Sequence, residues 1–342
     1  MSEVRVVHLV CSSGFAGVEN YIVNVATGLA RDGVDVAVIG GADAQMQDAL
    51  AGTGVEWLPG GDMRAAFRSL RSVADSGILH THMSQADLVG WLHRRVRARD
   101  MRQVSTRHFA GPRGAGVLAR AVFRLVGRSL ATQIAISEFV ARHVEPPAEI
   151  VYSGVATEAS GPVREPYVLA AQRLEPEKRT ADVIEAWAQS KGHAAGWRLL
   201  IAGEGSERGD LESLARTRAV ADSVDFLGHR ADIPQLLARA GLVVASTPRE
   251  GLGMLVLEAM AHATPVVASA GGGHLETVGL ATPDLLFAPG DPRDAARVID
   301  LLIGDADLRR VSGEALRDLQ RERFTIGGQV AATRALYERV LA

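Results

Sequence analysis

Short apolar runs recur along this chain, and most are followed by a longer segment whose apolar residues return with helical spacing. In the first half, the runs occupy residues 4–11, 34–39, 55–58, 77–80, 103–109 and 132–136. In the second half, they occupy residues 167–171, 197–203, 224–230, 242–245, 265–269 and 284–287. Apolar runs that alternate with amphipathic helical segments predict parallel sheets covered by helices on both faces.

One segment interrupts this alternation. Residues 156–166 combine Ser, Gly and Pro with scattered charge, which is typical of a linker. With 342 residues, of which 47% are hydrophobic and 23% are charged, the chain is long enough for two α/β domains with separate cores. We therefore expect one domain at residues 1–155, a second at residues 167–326, and a final helix over residues 327–342.

Composition narrows the class of protein further. No window contains 18 consecutive apolar residues, and the chain passes from Met1 into its first strand without a basic or apolar leader. Cys11 is the single cysteine, which excludes an internal disulfide and a zinc site built from thiolates. We expect a cytoplasmic protein with no nucleic-acid partner.

Positive charge is concentrated in one segment. The chain has a net charge of −3, yet residues 94–128 carry ten Arg and one acid, Asp100, so this segment is +9 and the remainder is −12. A helix predicted over residues 117–130 has opposite basic and apolar faces: Arg120, Arg124 and Arg128 against Leu118, Val122 and Leu125. Three interpretations stay open: a solvated helix packed on its own sheet, peripheral contact with an anionic membrane, and binding of an anionic acceptor.

A turn with distinctive chemistry follows the run at residues 242–245. Gly251 and Gly253 lie in this turn, and helical spacing begins at Gly253. A turn from a buried strand into a helix directs free backbone amides, and the positive end of the helix dipole, toward the carboxyl end of the sheet. We expect the amides of Gly253, Met254 and Leu255 to bind an anion, most simply a phosphate.

Two carboxylates flank the turn. Glu250 precedes it, and Glu258 lies a little more than one turn inside the helix, with its Cα–Cβ bond tilted back toward the helix start. Carboxylates repel phosphate, but each can accept two hydrogen bonds from a vicinal diol. The combination predicts a ligand with a central diphosphate and a sugar on either side, which is a nucleotide-sugar. The alternative is a capped surface helix whose two acids are solvated.

The sequence Glu250-Gly-Leu-Gly-Met-Leu-Val-Leu-Glu258-Ala-Met-Ala resembles the signature of retaining glycosyltransferases of family 4. The resemblance implies an α/β fold of the GT-B type, with two doubly wound Rossmann-like domains facing across a cleft and the final helix crossing back to the first domain. It also implies that the second domain binds the donor and the first binds the acceptor. Glu258 is then expected on the nucleotide ribose and Glu250 on the transferred sugar.

A second segment is similar to the same family. Residues 172–179 resemble its Gly-Arg-Leu-x-x-x-Lys-Gly motif, with Gln172 and Arg179 in place of the two glycines. Arg173 and Lys178 keep the family spacing and suit a diphosphate leaving group, because Arg offers a planar fork and Lys a compact charge. No Asp-x-Asp pair stands at a predicted strand end to hold a divalent ion. We therefore expect a reaction that requires no metal and no cofactor besides the donor.

Histidines mark two strand ends in the first half. His80 and His82 match a His-x-His of the family, in which His80 is expected to belong to the core. For His82, a ligand contact and a core position are both open. His108 closes the fifth strand, where the resemblance implies a histidine that helps to position the donor or the acceptor.

Each half also has a glycine-bearing turn after an early strand. Gly14 and Gly17 match a family loop that contacts the diphosphate-sugar and the acceptor, with Ala16 in place of a family glycine. The turn that begins with Gly203 and Glu204 faintly resembles a dinucleotide-binding turn and supports an alternative function, an NAD(P)-dependent oxidoreductase. An ordinary helix cap explains the same residues equally well.

The identity of the substrates is only outlined by these patterns. Residues 224–230 resemble the family segment that pairs with the base, so we expect Gly203, Glu204 and Arg230 on the nucleotide side. Family frequency favours a UDP-sugar donor, and the acceptor is expected to carry a hydroxyl. A composition rich in Ala and Arg favours a high-GC bacterium and a role in glycoconjugate or oligosaccharide-antibiotic synthesis. A non-catalytic nucleotide-sugar-binding protein is a further alternative.

Overall fold

The computed structural model describes residues 4–73, 76–97, 100–114, 116–158 and 163–342. The chain forms two compact units: Met1–Gly154 together with Ile326–Ala342, and Val155–Thr325. Each unit contains one parallel sheet with helices on its faces. Within the described ranges, no helix is both long and apolar enough to cross a membrane.

The first unit is built on a parallel sheet of strand order β3-β2-β1-β4-β5-β6-β7. Its strands are β1 (Arg5–Val10), β2 (Asp35–Ile39), β3 (Glu56–Leu58), β4 (Gly77–His82), β5 (Met101–Arg107), β6 (Thr132–Ala135) and β7 (Glu149–Ile150). Its helices up to the end of this sheet are α1 (Gly17–Arg31), α2 (Asp43–Leu50), α3 (Met63–Leu70), α4 (Met83–Val96), α5 (Val117–Ser129) and α6 (Glu138–His143).

The second unit repeats the plan with the strand order β10-β9-β8-β11-β12-β13. Its strands are β8 (Glu165–Ala171), β9 (Arg198–Ala202), β10 (Val224–Gly228), β11 (Ala240–Ala245), β12 (Val266–Ser269) and β13 (Leu286–Phe287). Its helices are α7 (Thr180–Gln189), α8 (Arg208–Thr217), α9 (Ile233–Arg239), α10 (Met254–Ala261), α11 (Val278–Ala281), α12 (Pro292–Gly304) and α13 (Ala306–Arg323). Short 3₁₀ turns occupy Pro176–Lys178, Ala221–Ser223, Gly272–Leu275 and Pro283–Leu285.

The last helix, α14 (Ile326–Leu341), belongs to the first unit and packs against α1. A glycine makes this close approach possible: a Cβ at Gly28 would lie 2.4 Å from Cγ2 of Val330. Arg334 on α14 also contacts Asp32 at the end of α1, with 3.5 Å between charged atoms. Helix α14 comes from the C-terminal end of the chain, and it packs within a unit whose sheet is built from residues nearer the N-terminal end.

Strands β1 and β4 bury an apolar cluster on one face of the sheet and histidines on the other. Val7 and Leu9 on β1 join Leu79 on β4 in an apolar cluster beneath α3 and α4. The parallel register pairs His8 with His80, so both side chains leave the other face of the sheet. Alternation along the strands thus separates an apolar layer from a layer of buried histidines.

The predicted fold class is confirmed: both units are doubly wound, parallel α/β sheets. Helices α4 and α7 were missed, since their sequences follow a strand without a clear N-terminal signal. Helical spacing in the sequence predicts a helix over residues 63–74. In the structure this helix ends at Leu70, and residue 74 lies outside the described ranges. The same holds for residues 159–162 of the predicted linker.

The apolar residues of α5 are packed only in part. Leu118 and Leu125 of α5 were one candidate for the face that packs on the sheet, but they are 80% and 55% exposed, and Val117 is 88% exposed. Val126 is the buried residue of this helix. The apolar side of α5 is therefore largely open to solvent in this unit.

Candidate functional site

The second unit has a topological switch point between β8 and β11, its two central strands. From this pair the chain continues outward in opposite directions, to β9 on one side and β12 on the other. Doubly wound sheets bind ligands at this position, because the loops after the two strands separate and leave a crevice at their carboxyl ends. Those loops are residues 172–179 and 246–253. They carry five of the residues predicted to bind the donor: Arg173, Lys178, Glu250, Gly251 and Gly253.

Hydrogen bonds from the side-chain amide of Gln172 hold the first of these loops in place. The Nε2 of Gln172 donates to the Lys178 carbonyl (3.2 Å), Thr180 Oγ1 (3.0 Å) and Ser246 Oγ (3.2 Å). Ser246 Oγ in turn donates to the Lys178 carbonyl at 2.7 Å. Sequence reasoning treated Gln172 only as the replacement of a glycine. In the structure, the hydrogen bonds of Gln172 join the loop at residues 172–179 to the loop at residues 246–253.

The two loops meet in an ion pair at the switch point. Lys178 Nζ lies 2.6 Å from Glu250 Oε2, and the two side chains are 20% and 22% exposed. Burial disfavours the charged form of Glu250, but the Lys178 ammonium outweighs burial and holds the pKa of this carboxyl below its ordinary value. An ionised acid and a cation therefore stand side by side at the mouth of the crevice.

Three consecutive glycines support the backbone that carries Glu250. A Cβ on Gly271 would lie 2.4 Å from the Pro248 carbonyl oxygen, and one on Gly273 would lie 2.4 Å from Cα of Leu252. Gly272 has a φ of +59°, and its Cβ would lie 2.4 Å from the Glu250 carbonyl oxygen. The triple glycine thus serves the close approach of two loops.

The turn after Glu250 leads into α10 as predicted. Gly253 precedes the helix with a φ of +94°, a conformation that favours glycine. No side chain caps the helix start, so the first amides, which include those of Met254 and Leu255, have no intrahelical partner. Glu258 lies on the second turn, and burial raises the pKa of its carboxyl to about 7. Within the described residues, no hydrogen bond or ion pair reaches this carboxylate.

Three other predicted residues make ion pairs with near neighbours. Arg173 pairs with Glu177 at 2.7 Å and is 65% exposed, so it does not join Lys178 and Glu250 in this structure. Two further pairs are similar: Arg230 with Asp232 and Glu204 with Arg208, each at 2.6 Å. Exposed pairs of this kind contribute about 0–1 kcal/mol, so they do not lock the side chains in place.

The glycines of the turn after β9 have a packing role. A Cβ on Gly203 would lie 1.9 Å from the Gln172 carbonyl oxygen, and one on Gly205 would lie 2.2 Å from the Leu174 carbonyl oxygen. Backbone bonds join the same loops, with the Leu174 amide donating to the Glu204 carbonyl at 2.9 Å. Close packing explains these glycines, so they do not support a dinucleotide site.

The first unit contains a histidine cluster, formed by His8, His80, His82 and His108. His82 links its neighbours, with Nε2 3.1 Å from His8 Nδ1 and Nδ1 3.1 Å from His108 Nε2. His80 contacts the Tyr337 hydroxyl at 2.5 Å through Nδ1 and Thr106 Oγ1 at 2.6 Å through Nε2. His8, on the first strand, was not predicted to take part. Its position opposite His80 follows only from the register of β1 and β4.

Burial keeps these four imidazoles neutral. It lowers the pKa of His8 and of His108 to about 3, and it lowers the pKa of His80 and of His82 well below the ordinary value. His82 is fully buried and has no exposed surface for contact with the donor or the acceptor, which favours the core position of the two alternatives. His108 retains 8% exposure and is the outermost member of the cluster.

The glycine loop after β1 accommodates its alanine without strain. Ala16 is extended, with φ −146° and ψ −157°, and its amide donates to Glu19 Oε2 at 2.9 Å. Gly17 has no atom within 4 Å of an added Cβ, and Gly14 has only Ser12 Oγ, at 3.5 Å. Protein packing therefore does not require either glycine, and both leave backbone open to a ligand.

A buried charge network lies behind His108. Arg113 Nε and Asp87 Oδ2 are 2.6 Å apart, and both side chains are 1% exposed. Arg113 also donates to Ser105 Oγ at 3.0 Å, and Arg107 pairs with Glu145 at 2.6 Å. The network fixes the start of the loop between β5 and α5. The sequence pattern had placed Arg107 and Arg113 only in the positively charged segment of residues 94–128.

Comparison with known proteins gives matches in both halves of the chain. The family model described as Glycosyltransferase Family 4 matches residues 15–159, and the model described as Glycosyl transferases group 1 matches residues 158–318.

Two curated relatives illustrate the range of similar enzymes. The chain is 29% identical over 171 residues to a 2-deoxystreptamine glucosyltransferase of Streptomyces kanamyceticus, covering 49% of this chain and 44% of that protein. It is 30% identical over 164 residues to an N-acetyl-alpha-D-glucosaminyl L-malate synthase of Bacillus anthracis, covering 48% and 43%. The matches thus span less than half the length of these relatives.

Solved structures share the fold along nearly the whole chain. HepE of Anabaena, in complex with UDP and glucose, superposes with a TM-score of 0.81 at 21% identity and covers 98% of this chain and 100% of that one. WaaG, a glycosyltransferase involved in lipopolysaccharide biosynthesis, superposes with a TM-score of 0.71 at 16% identity and covers 97% and 99%. At this identity, the likeness concerns the GT-B fold.

Proposed function

The chain belongs to glycosyltransferase family 4, and from this premise we propose that it transfers a sugar from a UDP-sugar to a hydroxyl acceptor. The observation that carries the proposal is the meeting of Lys178 and Glu250, 2.6 Å apart, at the switch point of the second unit. A cation for a diphosphate, an acid for sugar hydroxyls and the free amides of α10 are thereby gathered at one sheet edge.

Each group has a distinct role in this proposal. Glu258 accepts hydrogen bonds from the ribose diol, and Glu250 accepts them from the transferred sugar. Departure of the nucleoside diphosphate concentrates negative charge on its β-phosphate. Lys178 and the amides at the start of α10 stabilise this charge, and Arg173 joins them when it leaves the exposed pair with Glu177.

Conservative substitutions test the assignment of the two acids. Glu258→Gln should raise the dissociation constant of UDP by roughly ten- to a hundred-fold, the scale of a charged hydrogen bond. Glu250→Gln should mainly lower turnover. Glu322→Gln, which changes an exposed acid on α13, is the matched control. Equal and small effects at Glu250 and Glu258 would favour two merely solvated acids.

Nucleotide binding separates this function from the alternatives. UDP, GDP, TDP and NADH are titrated against thermal stability, and we expect a shift with UDP and none with NADH. A shift with NADH alone would support an oxidoreductase. A UDP shift without donor hydrolysis on long incubation would support a non-catalytic binding protein.

We propose that catalysis needs no divalent metal, because Lys178, Arg173 and the helix start supply the positive charge that a metal would supply elsewhere. Turnover should persist in EDTA when it is assayed below the melting temperature of the metal-free protein. Loss of turnover that Mg²⁺ or Mn²⁺ restores contradicts this part of the proposal.

We propose that the product retains the anomeric configuration of the donor. From the sequence, no second carboxylate can be assigned as a covalent nucleophile, so we favour a route on one face of the sugar, with the leaving phosphate oxygen taking the acceptor proton. NMR of the isolated glycoside reports the configuration, and an inverted product contradicts this route.

Screening is the direct way to identify the substrates. HepE of Anabaena, which shares the fold, was solved with UDP and glucose, with UDP, and with UDP-glucose, which supports uridine as the first base to test. Relatives named for 2-deoxystreptamine support aminoglycoside-like acceptors, and others named for exopolysaccharide or lipopolysaccharide synthesis support glycoconjugates. A panel of nucleotide-sugars against these acceptors, read by mass spectrometry, tests both classes.

We also propose that α5 brings the protein to the inner, anionic surface of a bacterial membrane. Its exposed apolar residues are accompanied by three exposed cations: Val117, Leu118 and Leu125 with Arg120, Arg124 and Arg128. Each cation near an anionic surface contributes about 1 kcal/mol, and the exposed apolar side chains add burial at the interface.

Co-sedimentation with liposomes tests this docking. We expect binding to anionic vesicles at low salt, weaker binding at moderate salt, and little binding to neutral vesicles. Arg120→Glu/Arg124→Glu should abolish it. Arg64→Glu/Arg68→Glu, which reverses an i,i+4 pair of exposed cations on α3, should leave it unchanged. Absence of binding at low salt excludes the membrane.

A further inference from the structure

The histidine cluster has a geometry that donor binding does not use. One nitrogen from each of His8, His80 and His82 lies within 4.8 Å of one nitrogen of the other two, and all three side chains are fully buried. From this geometry we propose that the three imidazoles bind a divalent transition-metal ion of the Zn²⁺ class. The proposal does not depend on the function of the second unit.

The sheet itself holds the three ligands. His8 on β1 is paired in register with His80 on β4, and His82 follows two residues later on the same face. His8 Nδ1 and His82 Nε2 are 3.1 Å apart. Two nitrogens bound to one tetrahedral Zn²⁺ lie about 3.3 Å apart, given Zn–N bonds near 2.0–2.1 Å. This pair therefore already has nearly the spacing of two ligands of one ion, and a nitrogen of His80 lies within 4.8 Å of both rings' ligand atoms.

The hydrogen-bond partners of these histidines resemble the groups that orient metal-binding histidines. His82 Nδ1 lies 3.1 Å from His108 Nε2, and His80 Nδ1 lies 2.5 Å from the Tyr337 hydroxyl. Ligating histidines commonly use their second nitrogen in such a bond, which orients the ring. His80 then ligates through Nε2, and the ion replaces the contact of that nitrogen with Thr106 Oγ1. An all-nitrogen donor set selects Zn²⁺, Cu²⁺, Ni²⁺ or Co²⁺ over Mg²⁺ and Ca²⁺. We expect the ion to stabilise the first unit.

Metal titration tests the site directly. Untagged protein is treated with EDTA, dialysed free of chelator, and titrated with Co²⁺ and then with Zn²⁺. We expect one ion per chain, visible absorption bands of nitrogen-ligated Co²⁺ that Zn²⁺ abolishes, and a higher melting temperature with metal. Failure to bind one ion per chain overturns the proposal.

Substitutions locate the ion within the cluster. His8→Gln should weaken binding about a hundred-fold or more, and Tyr337→Phe about ten-fold. His143→Ala removes an exposed histidine of α6 and should bind as the wild type does. Binding that survives His8→Gln, or that is lost in His143→Ala, places the ion elsewhere and overturns the proposal.

A thiolate ligand gives a test that does not depend on the stability of His8→Gln. His8→Cys retains a ligand at the same position, so binding should persist with a new near-ultraviolet band from sulfur-to-cobalt charge transfer. Circular dichroism checks that the variant is folded. A folded His8→Cys protein that binds Co²⁺ without this band shows that residue 8 is not a ligand.

Discussion

Burial gives Glu258 an unusual acid–base behaviour. Its pKa rises from an ordinary 4.5 to about 7, since no cation of the described chain offsets the burial. A diol that donates two hydrogen bonds favours the ionised form, so nucleotide binding and deprotonation of this residue are expected to support each other. Glu250 behaves in the opposite way, because Lys178 keeps it ionised before any ligand arrives.

The raised pKa of Glu258 predicts a pH-dependent stability. Between pH 4.5 and about pH 7, the folded chain keeps a proton that the unfolded chain has released, so stability falls as pH rises through this window. The loss is at most about 3 kcal/mol. In Glu258→Gln this contribution is absent. Urea unfolding at pH 5 and pH 8 measures the difference, and equal pH slopes for the two proteins contradict the assignment.

At the scale of elements, glycines and buried charges hold the loops that carry the site. In the second unit, residues 271–273 support the turn before α10. In the first unit, Asp87 on α4 and Arg113 hold the loop that follows β5. The glycine contacts and the buried ion pair both hold the backbone in position. Substitutions at either are therefore expected to lower stability and activity together.

Gly272→Ala tests the glycine contacts. Its φ of +59° and the 2.4 Å approach of a Cβ to the Glu250 carbonyl oxygen should cost about 1–3 kcal/mol and lower kcat/KM by displacing Glu250. Gly209→Ala is the control, since Gly209 lies in α8 with no atom within 4 Å of an added Cβ. That change should stabilise by about 0.5–1 kcal/mol. Thermal unfolding compares the two, and a neutral Gly272→Ala contradicts the packing argument.

Arg113→Met tests the buried ion pair. Removal of one partner leaves Asp87 buried and unpaired, which should cost about 3–5 kcal/mol. The double variant Asp87→Leu/Arg113→Met should recover part of the loss, because neither charge then remains. Arg334→Met removes an exposed pair of the same unit and should cost less than about 1 kcal/mol. Chemical denaturation of these three variants and of the single variant Asp87→Leu provides the values. A double variant that loses the full sum of the single effects argues against a coupled pair.

At the scale of the whole molecule, the two units have separate proposed tasks. The groups proposed to bind the donor lie within Val155–Thr325, and the histidine cluster and the basic helix lie within the other unit. UDP is therefore expected to stabilise one unit selectively. At a hundred-fold excess over the dissociation constant, the stabilisation is about 2.7 kcal/mol.

Hydrogen exchange measured by mass spectrometry tests this division of tasks. UDP should slow exchange in peptides that cover the end of β8, the end of β11 and the first turn of α10. Peptides from residues 4–154 should exchange at nearly the same rate with and without UDP. Glu258→Gln at the same UDP concentration is the control. Protection concentrated in the first unit contradicts the proposed donor site.

Local patterns in the sequence were sufficient for the fold class. The alternation of apolar runs with amphipathic segments predicted two parallel α/β sheets, and both are present. The turn at Gly253 and the placement of Glu258 one turn into a helix were also predictable, because they depend on neighbours in sequence. Local periodicity carries this information, since strand and helix spacing are properties of short segments.

Only the tertiary structure decided which distant residues meet. The pairing of Lys178 with Glu250, the bonds of Gln172 and the position of His8 beside His80 depend on strand order and register. The exposure of Leu118 was likewise undetermined, because an amphipathic pattern shows that two faces differ without showing what covers the apolar one. Sequence spacing sets the side on which a residue lies, whereas packing over long chain separations sets its partner.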